Sequence, residues 1–385
     1  NPNNPYIPKL AVGMLNQGTI KRNKLQLAEE LDKYGVSFWI RERDYYVSIS
    51  FKCLKDDLNE VLDLLAEQLR YPAFDEKEFN LLKEQYINDI KRGFTDPKEQ
   101  GRIALAQEIY PQGHPAYATD IQTSIDQINE ATLEDLKAFH NTYFGTKGMH
   151  LVAVGDVDTK NLYKAMEKAF KGWNGGIESD LRYSQPQNTK ETNKIITIPE
   201  KPNANLFIGR YTGLQKGHED YLPFYLASSV LGGGFSARLI QTVRDDQGLT
   251  YGIGSNHSND IFTGGHWFVE ATFNPSLLQK GLEATMVQLK KLVQDGVTAE
   301  ELEAVKSKLI GNYKVGMATT EGLAAAILKE LIHGEGPEYL DQYPKAIEAV
   351  TLEQVNRAIK KYIDLDNLVI IKSGALDQEG KPLAE

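Results

Sequence analysis

The sequence is poor in the features that mark several protein classes. A single cysteine, Cys53, excludes an internal disulfide and a cysteine-rich zinc site. No apolar run reaches the roughly 18 residues that a membrane-spanning helix needs. Dense runs of Lys and Arg are also missing, and 53 acidic against 43 basic residues give a formal net charge of −10. This balance argues against a nucleic-acid-binding protein that is held by phosphate neutralisation.

Common catalytic motifs are missing as well. The seven histidines include no pair four residues apart, so no helix presents two imidazoles to zinc in an H-E-x-x-H or H-x-x-E-H arrangement. The chain has neither a G-x-S-x-G elbow nor a phosphate-binding G-x-x-x-x-G-K-[ST] loop. Gly232–Gly234 follows a helical pattern, not a strand, and so is not a dinucleotide fingerprint. From the residues alone, a zinc site built from scattered side chains stays open.

The 385 residues are enough for two or three domains, and the composition shifts once. A polar, glycine-containing stretch without apolar periodicity is typical of a linker, which we place at residues 176–193. We therefore predict one domain at residues 1–175 and a second at residues 194–385.

An internal repeat relates the two halves. Thr132, Tyr143 and Gly155 match residues that lie 219 positions later, and each set frames a capped amphipathic helix, a loop and an apolar strand. The first of these predicted strands is Leu151–Gly155. A second match, offset by 223 residues, relates Phe74–Phe79 to Val297–Leu302. Two copies of one α+β domain are the simplest explanation.

Helices and strands are grouped along each half, which favours an antiparallel sheet with helices on one face. Tyr46–Phe51 alternates like a strand in the first half. The second half opens with two predicted strands, Ile195–Ile198 and Asn205–Tyr211. The first half has no equivalent of these two, because Lys9–Thr19 matches the predicted helix Phe224–Gly234 directly. We expect the missing strands to have been removed or to come from an upstream part of the protein.

The segment Leu231–Gly254, LGGGFSARLIQTVRDDQGLTYGIG, carries the strongest chemical signal. We predict a helix at Phe235–Val243 with Arg244 at its end, followed by a turn and by Tyr251 at the start of a strand. A guanidinium and a phenol on either side of such a turn can reach one cavity. There the guanidinium would hold a carbonyl or carboxylate, and the phenol would donate to a developing oxyanion. A capping arginine and a half-buried structural tyrosine are the alternative.

This segment resembles the second-domain motif of the M16 metallopeptidases, the pitrilysin, insulinase and mitochondrial-processing-peptidase family. The resemblance extends over nearly the whole chain, through LNQGTIKRN, LRYPAFDEKEF, YPQGHPAYATDIQTSIDQI and FHNTYFGTKGMHLVAVGDVD. It implies two M16-type (LuxS/MPP-like) α+β domains, each an antiparallel sheet with helices on one face. The first of these would lack its N-terminal strands.

The zinc motif of the family is not conserved in this sequence. Lys9 and Gly13 occupy the two histidine positions, Val12 occupies the glutamate position, and the third ligand would fall near Asp89. The resemblance therefore implies no metal in this chain and zinc in a partner that carries H-x-x-E-H.

By the same resemblance, the chain is the zinc-free subunit or C-terminal half of a zinc-dependent endopeptidase and is inactive alone. Arg244 would hold a substrate carbonyl and Tyr251 would stabilise the tetrahedral intermediate, while Gly232, Gly233, Gly234 and Phe235 would touch the peptide substrate or the partner. A proteolytically inactive scaffold or binding protein is the main alternative, and a hydrolase with an unrecognised site is a third. Bacterial two-subunit relatives are usually exported, so we expect a periplasmic protein; a homodimer of the isolated chain is left open.

Overall fold

The computed structural model describes residues 4–43, 45–177, 183–187, 189–258 and 262–383. Residues 178–182 and 188 of the predicted linker lie outside this part of the chain. The helices are α1 Tyr6–Met14, α2 Lys24–Lys33, α3 Leu58–Arg70, α4 Glu76–Phe94, α5 Pro97–Ile109, α6 Ile121–Glu130, α7 Leu133–Tyr143, α8 Thr159–Ala169, α9 Tyr221–Gly232, α10 Leu278–Asp295, α11 Ala299–Gly316, α12 Thr320–Ile332, α13 Tyr339–Ala349 and α14 Leu352–Tyr362. The strands are β1 Trp39–Glu42, β2 Val47–Ser50, β3 Thr192–Thr197, β4 Ala204–Tyr211, β5 Thr250–His257, β6 His266–Phe273 and β7 Val369–Gly374. Within the described ranges, no helix is both long and apolar enough to cross a membrane.

The chain forms two compact units, and neither is one continuous stretch. Unit 1 comprises Asn1–Lys91, Ile121–Asp180 and Met317–Gly336. Unit 2 comprises Arg92–Asp120, Leu181–Gly316 and Pro337–Glu385. Thus α5 belongs to unit 2 although it precedes the linker, and α12 belongs to unit 1 although it follows it. Neither the composition nor the internal repeat predicted this exchange.

Unit 2 is built on a five-stranded sheet with the order β3-β7-β4-β6-β5. Its pairings are antiparallel except for the parallel pair of β3 and β7. Side chains alternate along β4, so Leu206 and Ile208 enter the main core, which also contains residues of α9, α10 and α14. Phe207 faces the opposite side, where it packs with Leu105 of α5. The α+β architecture is as predicted, with α5 as a further helix on the second face of the sheet.

Unit 1 contains a two-stranded sheet in which Ile40 of β1 pairs with Ile49 of β2. Val47 and Ile49 alternate as predicted and pack against the core that includes residues of α3 and α8. The repeated helices α7 and α14 both begin with a complete capping box, at Thr132 and Thr351. The internal repeat is therefore reproduced in local structure.

The predicted strand Leu151–Gly155 is wrong: these residues are not part of a sheet, and Leu151 is 43% exposed. Its counterpart β7 is hydrogen-bonded to β3 on one side and to β4 on the other. The described residues of unit 1 contain no strands that correspond to β3 and β4. Without flanking strands, an apolar segment has no partners for its backbone N–H and C=O groups, and these stay solvated.

Two histidines in unit 2 make its stability dependent on pH. Burial lowers the pKa of His257 to about 4, and burial together with the nearby His257 lowers that of His266 to about 3. Because the charged forms are disfavoured in the folded chain, stability is full above the unfolded pKa of about 6.5 and is lost as the pH falls toward 4. The shift of His257 alone corresponds to about 3 kcal/mol at pH 4.

We therefore expect His257→Gln to reduce the difference in unfolding free energy between pH 7.5 and pH 4.5, measured by urea titration. The exposed His150 is the control site, and His150→Gln should leave that difference unchanged. An unaltered pH dependence in the His257 variant would contradict this assignment.

Candidate functional site

The glycine-rich loop begins where α9 packs closely against β5. Gly232 is the last residue of α9 and is buried. A Cβ at this position would lie 2.1 Å from the backbone nitrogen of Ser255. Ser255 is itself held by Trp267, whose Nε1–H donates to its hydroxyl at 2.8 Å. Gly232 therefore brings a helix end against a strand. In the loop that follows it, Gly233, Phe235 and Ser236 are exposed.

Gly232→Ala should lower the free energy of unfolding by about 1–3 kcal/mol, because the new methyl group meets backbone atoms that cannot move aside. Gly311 in α11 is the matched control, since nothing lies within 4 Å of its Cβ position. Gly311→Ala should stabilise the chain by up to about 1 kcal/mol through helix propensity. Urea unfolding measures the stability of both variants. Equal destabilisation would contradict the close packing of Gly232 against β5.

The helix after the loop differs in detail from the predicted Phe235–Val243. It starts at Arg238 and continues as a π-helical turn over Ile240–Asp246. Arg238 connects this segment to α11 and to the residues before it. Its Nε lies 2.6 Å from Glu301 Oε1 in α11, and its Nη2 donates to the Gly296 carbonyl at 2.8 Å. Single π-helical turns are frequent at functional sites.

Arg244 lies inside this π-helical turn, not at the end of a regular helix. Its guanidinium is 5.7 Å from the ring centre of Phe235 and 3.8 Å from the carboxylate of Asp245. The side chain is 37% exposed and that of Asp245 is 55% exposed. The guanidinium thus lies at the protein surface beside an exposed aromatic ring, where it can bind a carbonyl or a carboxylate.

Tyr251 follows the turn at Gly248 and lies at the start of β5, as predicted. The pairing of β5 with β6 shifts between Thr250 and Gly252, so Tyr251 is the extra residue of a β-bulge. Its side chain is 94% exposed and that of Phe235 is 83% exposed. The structure therefore places Arg244, Tyr251 and Phe235 on the segment that joins the end of α9 to β5, all accessible to a ligand.

Thr250 precedes Tyr251 directly, and no pattern in the sequence marks it as a functional residue. It is buried, and its hydroxyl contacts the backbone of Gly252 and of Thr272. A threonine before a strand is too common for the sequence to single it out.

Packing fills two positions of the family's zinc motif, Val12 and Gly13. Val12 is 3% exposed in the core, and a Cβ at Gly13 would lie 2.9 Å from Leu82 Cδ2 of α4. The ammonium group of Lys9 lies over the Tyr6 ring, 5.2 Å from its centre. Asp89 is on the exposed side of α4. Among the described residues, no group of three His, Cys, Asp or Glu side chains could hold a metal ion, so zinc does not fit here.

Comparisons with known proteins relate the chain to one peptidase family. The family model "Insulinase (Peptidase family M16)" matches residues 7–109, and "Peptidase M16 inactive domain" matches residues 130–309. The chain is 27% identical over 348 residues to "Uncharacterized zinc protease YmxG" of Bacillus subtilis, covering 89% of this chain and 82% of the relative. It is 21% identical over 367 residues to "Non-peptidase homolog YmxG" of Helicobacter pylori, covering 94% and 83%. The fold matches a crystal structure of a peptidase M16 inactive domain from Pseudomonas fluorescens with a TM-score of 0.85 and 23% identity, over 99% of this chain and 90% of the other.

Proposed function

Because the chain belongs to the M16 family of peptidases, we propose that it is the zinc-free subunit or half of an M16 zinc metallopeptidase. In this proposal it closes the peptidase chamber and contributes Arg244 and Tyr251 to peptide cleavage at the zinc site of a partner that carries H-x-x-E-H. One observation carries the proposal. Arg244 and Tyr251 lie at the surface, whereas two positions of the zinc motif are filled by Val12 and by the packing of Leu82 against Gly13.

The partner's zinc, when bound there, would supply an activated water and polarise the scissile carbonyl. This chain's residues have two separate tasks. Arg244 donates hydrogen bonds from its guanidinium to a backbone carbonyl of the peptide and so orients it. Tyr251 donates its phenolic proton in a hydrogen bond to the oxyanion that forms during attack. Its 94% exposure leaves the hydroxyl free to enter a substrate site on another surface.

The exposed residues Phe235 and Gly233 and the half-buried Gly234 complete the surface that we assign to the peptide or to the partner. The Phe235 ring offers an apolar contact beside the Arg244 guanidinium. Aromatic residues and arginine are the residue types that dominate many binding surfaces.

The periplasm is the compartment that we propose for this protein. Fractionation of the expressing cell tests it.

Replacing Arg244 by Lys tests the proposal through substrate affinity. In a reconstituted complex with the H-x-x-E-H partner, the variant should raise KM for a quenched peptide by about 10- to 100-fold, because lysine keeps the charge but loses the planar guanidinium and its paired hydrogen-bond donors. Arg102→Lys, at a 64% exposed side chain of α5, is the control and should be neutral. Unchanged kinetic constants in both variants would contradict a substrate role for Arg244.

A proteolytically inactive scaffold is the second candidate. It is favoured by the H. pylori relative that is named a non-peptidase homolog. In that case a tight complex with the partner would form, and substitutions at Arg244 and Tyr251 would change no cleavage rate.

A further inference from the structure

The bulge at the start of β5 gives Tyr251 its unusual exposure. Thr250 pairs with Phe273 of β6, and the next residue of β6 along the ladder, Thr272, pairs with Gly252. Tyr251 therefore has no residue opposite it. A bulge locally bends a strand and re-aims a side chain. Buried residues alternate along the rest of β5 at Ile253, Ser255 and His257, so a regular strand would place Tyr251 on the buried face. With the bulge, Tyr251 is 94% exposed instead.

The Thr250 hydroxyl spans this irregularity. It accepts a hydrogen bond from the Gly252 N–H at 3.1 Å and donates to the carbonyl of Thr272 across the ladder. It thereby links the residue after Tyr251 to the neighbouring strand. A bulge disrupts the regular ladder that would otherwise pair these backbone groups, and the Thr250 hydroxyl supplies partners in its place.

The backbone at Gly252 does not itself explain the bulge. Gly252 has no positive φ, and nothing lies within 4 Å of its Cβ position. On the other side, Thr272 is fixed by β4, because Asn205 Nδ2 donates to its hydroxyl at 2.8 Å. The Thr250 hydroxyl thus connects the bulge to a residue that two strands hold in place.

We infer that Thr250 is a positioning residue, whose hydroxyl holds the β-bulge that directs Tyr251 toward the reacting peptide. This inference rests on the proposed function, since it assigns a supporting residue to Tyr251. A threonine that only stabilises the fold would also be buried and hydrogen-bonded. The two roles differ in kinetics, because a positioning role changes kcat through Tyr251 and a stability role does not.

The test compares Thr250→Val, which keeps the shape but removes the hydroxyl, with Thr250→Ser, which keeps the hydroxyl. In the chain alone, hydrogen exchange of the Gly252 amide should accelerate about tenfold or more in the Val variant and stay near wild type in the Ser variant. Should Thr250→Val fold poorly, Thr250→Ala removes the same hydroxyl without a branched side chain.

In the reconstituted complex, Thr250→Val should lower kcat about tenfold or more and leave KM unchanged, and Thr250→Ser should restore kcat. The double variant Thr250→Val/Tyr251→Phe should be no slower than Tyr251→Phe alone. Independent, additive losses, or full activity of Thr250→Val, would overturn the positioning role while leaving the proposed function intact. No cleavage by the wild-type complex would overturn both.

Discussion

Tyr251→Phe should lower kcat of the reconstituted peptidase by about 10²- to 10³-fold, the usual cost of removing one oxyanion donor. KM should change little, because the oxyanion exists only in the transition state and not in the bound peptide. The substitution removes a single oxygen at a side chain that is 94% exposed in this chain. Folding and partner binding should therefore be unaffected, and steady-state kinetics on a quenched peptide measure the effect directly.

Tyr163→Phe is the matched control for this experiment. Tyr163 is 70% exposed on α8 and lies outside the glycine-rich segment. It should leave both kinetic constants at the wild-type values. If the two tyrosine variants behaved alike, the phenol of Tyr251 would have no part in cleavage, and the scaffold function would be favoured.

Ile371→Pro and Val152→Pro should differ sharply in stability although the two positions are equivalent in the repeat. Ile371 is fully buried in β7 and pairs with Lys194 of β3 and Phe207 of β4. Proline there removes a ladder hydrogen bond and a core side chain, and should cost about 3 kcal/mol or more. Val152 lies in the unpaired segment 151–155, where the cost should stay below about 1 kcal/mol.

Urea unfolding followed by circular dichroism measures both variants against the wild type. A large loss of stability in Ile371→Pro with a small one in Val152→Pro would confirm that only the second copy of the repeat forms a central strand. Equal losses would show that residues 151–155 are paired in solution, contrary to the structure.

Local signals in the sequence predicted much of the fold. Thr132 and Thr351 cap helices because a hydroxyl followed three residues later by a carboxylate or an amide satisfies the first turn. The alternation of Val47 and Ile49 predicted β2 for the same kind of local reason. Leu151–Gly155 has the same local pattern as β7, but a strand forms only where others pair with it. That condition is set by tertiary structure, so the prediction failed there.

In the candidate site, too, some features could be predicted from the sequence and others could not. The spacing of Arg244 and Tyr251 around a turn was visible in the sequence, and the loss of the zinc motif followed from Lys9, Val12 and Gly13. Three features were not visible: the π-helical turn that carries Arg244, the bulge that exposes Tyr251, and the filling of the Gly13 side by Leu82. The bulge and the approach of Leu82 to Gly13 depend on residues far apart in the chain, which periodicity and capping rules do not address.

Peptide cleavage by this chain, by an M16 partner that carries H-x-x-E-H, and by their mixture tests the central claim most directly, with the zinc content of each sample measured in parallel. We predict that this chain alone binds no zinc and cleaves nothing, that the partner alone is weak or inactive, and that the mixture cleaves peptides with zinc bound to the partner. Chelator-sensitive cleavage by this chain alone would contradict the claim.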